Sequence, residues 1–186
     1  MSTRLISPPV GLAVSLADAQ LAARVDVDDQ GKSPLDAEIL QAIRTYTAEA
    51  EMNTKRAIIE QTWRVTLDRF DGSIKLAKAR VLQVEHVKFY DNDGVQQTLN
   101  PDHYQVDTES EPGYVVPATG RAWPATASRI NAVEVQYKAG YGPDDASVPD
   151  GIKGFILARI AEHFETGGQP KNEFVKRLLW PYVVYA

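Results

Sequence analysis

From Val133 to Ala139 apolar and polar residues alternate without a break. Val133, Val135, Tyr137 and Ala139 fall on one side, and Glu134, Gln136 and Lys138 on the other. Period two with one polar side predicts a half-buried β-strand. Gly140, Gly142 and Pro143 end it, because glycine accepts positive φ and proline brings no N–H to a ladder. After Pro149 the period becomes helical: Ile152, Phe155, Ile156, Ile160 and Phe164 form a stripe, while Gly154, Leu157, Ala158 and Ala161 leave the other side smooth. A helix apolar nearly all round must be covered on more than one side. Its cover is either the chain's own bundle or a neighbouring subunit. The excess of apolar surface favours assembly, with Ile152, Phe155, Ile156, Leu157, Ile160 and Phe164 as the expected subunit interface.

Toward the N-terminus two helices carry their own start signals. Ser15-Leu16-Ala17-Asp18 sets a hydroxyl at the cap and a carboxylate at the third helical position. Ser33-Pro34-Leu35-Asp36 repeats the device with proline at the first helical position. Leu35, Ile39, Ala42, Ile43, Tyr46 and Ala50 then recur at helical spacing, giving a long amphipathic helix that ends near Arg56. At Thr62 the period switches to two, with Trp63, Val65 and Leu67 against Arg64, Thr66 and Asp68. Val87, Phe89 and Tyr90 run into Asp91-Asn92-Asp93-Gly94, a hairpin signal, with Val95–Leu99 as the return strand and Tyr104 and Val106 in another. Pro112-Gly113, Pro117, Gly120 and Trp123-Pro124 mark loops. Helix is expected again from Pro149, with a break at Gly167-Gly168, a short resumption from Asn172 and a stop at Trp180-Pro181. The expected fold is α+β: one domain over 1–186, a small helical bundle from 15–57 and 149–180, an antiparallel β-rich insertion at about 60–141, and an apolar tail at 180–186.

That tail changes the functional picture. Leu178-Leu179-Trp180-Pro181-Tyr182-Val183-Val184-Tyr185-Ala186 is aromatic, β-branched and uncharged, whereas chain ends are usually polar and frayed. Such a segment needs a docking place, on its own body or on a partner. Leu179, Trp180, Pro181, Tyr182, Val183, Val184 and Tyr185 are the candidate docking residues.

Composition narrows the chemistry. With 186 residues, 44% apolar and 24% charged, the chain has the makeup of a folded globular domain. No apolar run approaches the length of a membrane span, and Met1–Pro9 lacks a signal-peptide core. The lack of cysteine removes disulfides and thiolate chemistry and fits assembly in a reducing cytoplasm. A net charge of −5 argues against a tight grip on nucleic acid, which depends on Lys and Arg neutralising phosphates. His86, His103 and His163 share no metal-ligand spacing and read as hydrogen-bonded or solvated side chains. In Asp91-Asn92-Asp93-Gly94 the glycine comes too early for a calcium loop, and Val95 occupies a ligand position. Asp144, Asp145 and Asp150 read as solvated acids. There is no Gly-Lys-Ser/Thr phosphate loop, Gly-x-Ser-x-Gly elbow or Ser-x-x-Lys. The expectation is no enzyme, no metal and no cofactor.

Taken in order, residues 5–9 (Leu-Ile-Ser-Pro-Pro), 15–19 (Ser-Leu-Ala-Asp-Ala), 61–70 (Gln-Thr-Trp-Arg-Val-Thr-Leu-Asp-Arg-Phe), 89–94 (Phe-Tyr-Asp-Asn-Asp-Gly), 137–142 (Tyr-Lys-Ala-Gly-Tyr-Gly) and 148–153 (Val-Pro-Asp-Gly-Ile-Lys) form a series. This series resembles the head–tail connector (adaptor) proteins of tailed phages, in the larger β-inserted subgroup found also in prophages and gene transfer agents. The resemblance implies a homo-oligomeric ring, usually a dodecamer, beneath the portal protein. That ring would complete the head after DNA packaging and present the attachment surface for the tail or a stopper protein. It implies that the C-terminal segment docks on the portal, and it transfers no catalytic residue. The net negative charge would suit a channel that DNA crosses without sticking. A virion location at the portal vertex follows, with assembly in the host cytoplasm and no membrane partner. Two other readings remain open: a monomeric ligand-binding protein or hydrolase with a pocket between insertion and helices, and a stopper or tail-terminator ring subunit. The capped helices over Ser15–Arg56 count against the last.

Overall fold

The computed structural model describes residues 1–167 and 172–185. Gly168, part of the expected helix break, and Ala186, the last residue of the expected tail, lie outside the described residues. The fold is α+β, as the periodicities predict. The chain forms two compact units, one from Met1–Pro9 with Glu60–Gly140 and one from Val10–Ile59 with Tyr141–Tyr185.

The first unit is built mainly of β-strands, with one short 3-10 turn at Pro101–His103. Strands β1 (Ser2–Ser7), β2 (Gln61–Leu67), β4 (Val81–Tyr90), β5 (Gln96–Thr98) and β8 (Val133–Ala139) make a five-stranded antiparallel sheet in the order β1-β2-β8-β4-β5. β3 (Ile74–Lys75), β6 (Tyr104–Asp107) and β7 (Tyr114–Pro117) make a second, three-stranded sheet in the order β3-β7-β6. The alternation read from the sequence sets the faces of β8. Val133, Val135, Tyr137 and Ala139 are buried opposite Leu67, Val65, Trp63 and Gln61 of β2. Bulges between Val81 and Gln83 and between Val84 and His86 keep Val81, Val84, Val87 and Phe89 of β4 in register with the same face. The Asp91–Gly94 segment is the expected hairpin turn. The Asp91 carboxylate accepts the N–H groups of Asp93 and Val95, and Gly94 takes φ 78.

Two features of this unit differ from the pattern-based expectation. The N-terminal residues form a strand, β1, paired with β2, ahead of the first predicted helix. The Pro112–Pro117 region contains β7 rather than only loop.

The second unit is helical: α1 (Leu16–Ala23), α2 (Asp36–Thr54), α3 (Asp150–Thr166) and a C-terminal 3-10 helix, Glu173–Tyr182. Ser15 caps α1 as expected, its hydroxyl accepting from the Asp18 N–H at 3.0 Å and donating to the Asp18 carboxylate at 2.7 Å. α2 begins at Asp36, two residues beyond the expected Pro34. Ser33 still takes part, because its N–H donates to the Asp36 carboxylate at 3.1 Å. The other Asp36 oxygen accepts from the buried Gln20 amide at 2.6 Å, tying α2's start to α1. Lys55, in the left-handed region at φ 58, stops α2 just short of the expected Arg56. The core of this unit gathers Ile39, Ile43, Ile58, Ile152, Phe155, Ile156 and Ile160, all fully shielded from solvent. Each such side chain contributes about 1.5–3 kcal/mol through burial.

Candidate interaction surfaces

The C-terminal segment is built in three rows. Asn172 caps the 3-10 helix, its side-chain oxygen accepting from the Phe174 N–H at 2.9 Å. At three residues per turn, residues three apart eclipse one another. Phe174, Arg177 and Trp180 therefore line up, with the Arg177 guanidinium 4.2 Å from the Phe174 ring and 5.4 Å from the Trp180 ring. Both rings are well exposed, Phe174 at 64% and Trp180 at 62%. Beside them stand Leu178 and, past the helix, Tyr185, also exposed. Val175 and Leu179 point the other way, into the helical core.

The helix is held down at its far end by backbone contacts. The Arg56 guanidinium donates to the Tyr182 carbonyl, and the Val184 N–H donates to the Thr54 carbonyl at 3.0 Å. The Tyr182 ring lies over Gly151 of α3, where a Cβ would come within 2.8 Å of it. Glycine at 151 is what admits the ring. The tail thus packs on the chain's own helical unit, one of the two docking places left open by its sequence.

This arrangement divides the expected docking residues. Leu179 and Val184 are buried and serve as anchors, Tyr182 and Val183 are half-buried, and Trp180, Pro181 and Tyr185 face outward. Phe174, Arg177 and Leu178 extend the exposed surface beyond the residues picked out by the sequence. The signal for Phe174 and Arg177 was their i, i+3, i+6 spacing with Trp180, hidden because the segment reads as an α-helix cut short at Pro181.

The expected subunit interface on α3 needs correction. Ile152, Phe155, Ile156 and Ile160 are fully enclosed within the chain's own helical unit, so none presents surface to a neighbour. α1, α2 and the 3-10 helix supply the cover that the helix's all-round apolarity demanded. Leu157 and Phe164 are half-buried at the edge of the same core and remain reachable from outside.

α3 also carries a buried charge that sequence reasoning missed. Arg159 is 1% exposed, with its guanidinium 2.7 Å from Glu162 and 3.5 Å from Glu49. Nearby, the Tyr46 hydroxyl lies 3.1 Å from His163 Nδ1, and burial raises the Tyr46 pKa. Glu38 lies 3.5 Å from the other ring nitrogen of His163. In the β unit His86 sits 3.1 Å from Glu134, which also pairs with Arg64. Both histidines are hydrogen-bonded, as expected. Asp144 accepts from the Ser147 hydroxyl at 3.2 Å within an exposed turn. Among the described residues no cluster of three or more His, Cys, Asp or Glu is placed to hold a metal ion. None of the helices among them is long and apolar enough to cross a membrane.

A second surface lies at one end of the β unit. Asp68, Arg69, Thr126, Ala127, Ser128, Arg129 and Ile130 surround an open cleft of about 520 Å³. It is shaped by the long connection between β7 and β8, which several contacts fix. Trp123 stacks on Phe70 at 4.6 Å and donates its indole N–H to the carbonyls of Asp71 and Gly72, each at 3.0 Å. The Asn131 N–H donates to Asp68 at 2.8 Å, and the Ala127 N–H donates to the Tyr90 carbonyl at 2.9 Å. The Arg129 guanidinium lies over the Tyr90 ring at 3.8 Å.

No family model matches the chain, and no curated protein matches it. Solved structures of gene transfer agent (GTA) particles do. A chain in the virion of a native GTA particle matches with a TM-score of 0.80 at 20% identity, over 100% of this chain and 97% of that one. A chain in the neck of an empty GTA particle computed with C6 symmetry gives the same values. One in the neck of a native GTA particle computed with C12 symmetry matches with a TM-score of 0.74 at 21% identity and the same coverage. The likeness establishes a shared fold over the whole length.

Proposed function

We propose that this chain is a structural subunit of the neck of a tailed phage or phage-like particle. More specifically, it is a head–tail connector (adaptor) that forms a ring under the portal, completes the head after DNA packaging and offers the tail its attachment surface. The observation that carries the reading is the full-length fold match to GTA neck chains in structures computed with C6 and C12 symmetry. A subunit of this kind works by contact, so its chemistry is that of its exposed side chains. Its partners in this reading are further copies of itself, the portal protein and a stopper or tail-completion protein, with DNA passing through the ring.

The 3-10 helix supports the portal contact. Trp, Tyr and Arg dominate the energetics of protein interfaces. Here Phe174, Arg177 and Trp180 are displayed on, and Tyr185 just past, an element whose other side is anchored in the core. The anchoring lowers the ordering cost of binding. A portal-bearing, tailless head is the test object. The Trp180→Ala/Tyr185→Ala variant, shown to be folded, is expected to lose retention on such heads while the unmodified chain is retained. Equal retention of both would overturn the docking role of this segment.

A further inference from the structure

An Asp-Gly pair is open to backbone chemistry, because glycine has no side chain to hinder its nitrogen from reaching the aspartyl carboxyl. The chain has three such pairs: Asp71-Gly72, Asp93-Gly94 and Asp150-Gly151. The fold treats them differently. Asp150 and Gly151 open α3, whose helical backbone resists the rotation that ring closure needs. The Tyr182 ring also covers Gly151, lying 2.8 Å from where a Cβ would be. Gly94 gives its N–H to the Asp91 carbonyl at 2.9 Å, so its nitrogen is committed within the hairpin turn.

Gly72 instead points its N–H at the carboxylate of its own predecessor, with the nitrogen 3.1 Å from Asp71 Oδ1. That oxygen is one bond from the carbon the nitrogen must reach. Asp71, Gly72 and Ser73 are all exposed, and nothing lies within 4 Å of where a Gly72 Cβ would be. The carbonyls on either side of the nitrogen are held by one donor, the Trp123 indole N–H, at 3.0 Å each. This clamp fixes the two carbonyls and leaves nitrogen and carboxyl facing each other.

We propose that Asp71-Gly72 is a site of spontaneous isomerisation to isoaspartate, and that the product releases the Trp123 clamp. The Gly72 nitrogen bonds to Cγ of the neutral Asp71 carboxyl, and the amide proton and carboxyl hydroxyl leave as water. Water then adds back to the cyclic imide. Opening at the Cγ carbonyl restores aspartate. Opening at the other carbonyl leaves the main chain running through Cβ and Cγ, one carbon longer, with the former Asp71 carbonyl now a free carboxylate. Mass and oxidation state are unchanged, so no co-reactant is needed.

That carbonyl is one of the two acceptors of Trp123, whose ring stacks on Phe70 at 4.6 Å. Lengthening the chain here removes the geometry that holds the indole. The segment that follows Trp123 carries Arg129 over Tyr90 and lines the open cleft. The surface at this end of the β unit therefore changes with the age of the molecule, whatever the chain assembles into.

The intact chain, incubated for weeks at physiological temperature and pH, is digested with trypsin and read by electron-transfer fragmentation, which distinguishes isoaspartate from aspartate. Each Asp-Gly falls on its own peptide: Phe70–Lys75, Phe89–Arg121 and Ala139–Lys153. Isoaspartate is expected to accumulate several-fold faster at Asp71 than at Asp93 or Asp150, and this excess should shrink in denaturant. Gly72→Ala, whose added Cβ meets no neighbour, should slow the reaction at Asp71 several-fold in a folded chain. A rate at Asp71 no higher than at the other two, or an excess unchanged in denaturant, would overturn the site. Hydrogen exchange of the aged chain checks the consequence. The Ala127 and Asn131 amides, which donate to the Tyr90 carbonyl and the Asp68 carboxylate, should exchange faster in the isomerised fraction. Unchanged exchange at both would overturn the release of the clamp.

Discussion

The Val184 N–H donates to the Thr54 carbonyl at 3.0 Å, joining the end of the chain to the last turn of α2. With Leu179 buried just upstream, the C-terminal segment is part of the helical unit's structure as well as a surface. Removing everything after Leu179 would take away an anchor along with the candidate docking side chains, so single substitutions separate the two roles. Leu179→Ala should cost about 2–5 kcal/mol, the range for deleting a buried leucine side chain. Trp180→Ala should stay within about 0.5 kcal/mol, as exposed substitutions do. Urea unfolding of both variants measures the difference.

Arg159 makes a second prediction. Its guanidinium is enclosed with Glu162 and Glu49, so Arg159→Ala leaves acids facing an empty space inside the bundle. Removing one partner of a buried ion pair costs about 3–5 kcal/mol. Replacing Arg159 together with its nearer partner, Arg159→Met with Glu162→Gln, removes the closer of the two stranded charges and should restore part of that loss. Denaturant midpoints of the two variants check it. Equal destabilisation in both would mean the cost comes from packing rather than stranded charge.

Tyr137 should make stability fall at high pH. It is fully buried on β8, its hydroxyl accepts from the Lys78 N–H at 3.1 Å, and burial pushes its pKa up to about 12. Near pH 10 the unfolded chain begins to release this proton while the folded chain keeps it. The stabilisation is therefore complete below pH 10 and is lost as the pH rises toward 12. Each pH unit between the ordinary tyrosine value and the raised one is worth about 1.4 kcal/mol, so the loss approaches roughly 3 kcal/mol. Tyr137→Phe should flatten that part of the profile, which unfolding measured between pH 9 and 11.5 would show.

The Ser15 cap is local and cheaper to remove. Ser15→Ala deletes the acceptor for the Asp18 N–H and should cost about 1 kcal/mol. Ser15→Asp, which keeps an acceptor, should cost less, and thermal unfolding distinguishes them.

Where local pattern decides structure, the chain was legible. The alternation of β8, the Asp91–Gly94 hairpin and the Ser15 cap each follow from a few neighbouring residues and appear as expected. Long-range pairing was not. β1 is six residues beside Pro8 and Pro9, and its partner β2 lies more than fifty residues away. β7 ends on Pro117, which reads as a loop until β6 and β3 flank it. The same limit governs the sites. The apolarity of α3 showed that it must be covered, but only the assembled fold shows that α1, α2 and the 3-10 helix do the covering. The burial of Arg159 left no mark in the local pattern, because the helices that enclose it, including the one carrying its partner Glu49, lie elsewhere in the chain. The Arg69/Arg129 cleft joins residues sixty positions apart and has no local trace.

Locating the chain in a particle tests the central claim most directly. Particles from a host expressing this chain with a small peptide tag on the exposed Ala125 loop should be imaged with a tag-specific label and averaged at the portal vertex. The account predicts label at the neck, between head and tail, arranged with the rotational symmetry of a ring. Label elsewhere on the particle, or particles that carry none of the chain, would contradict it.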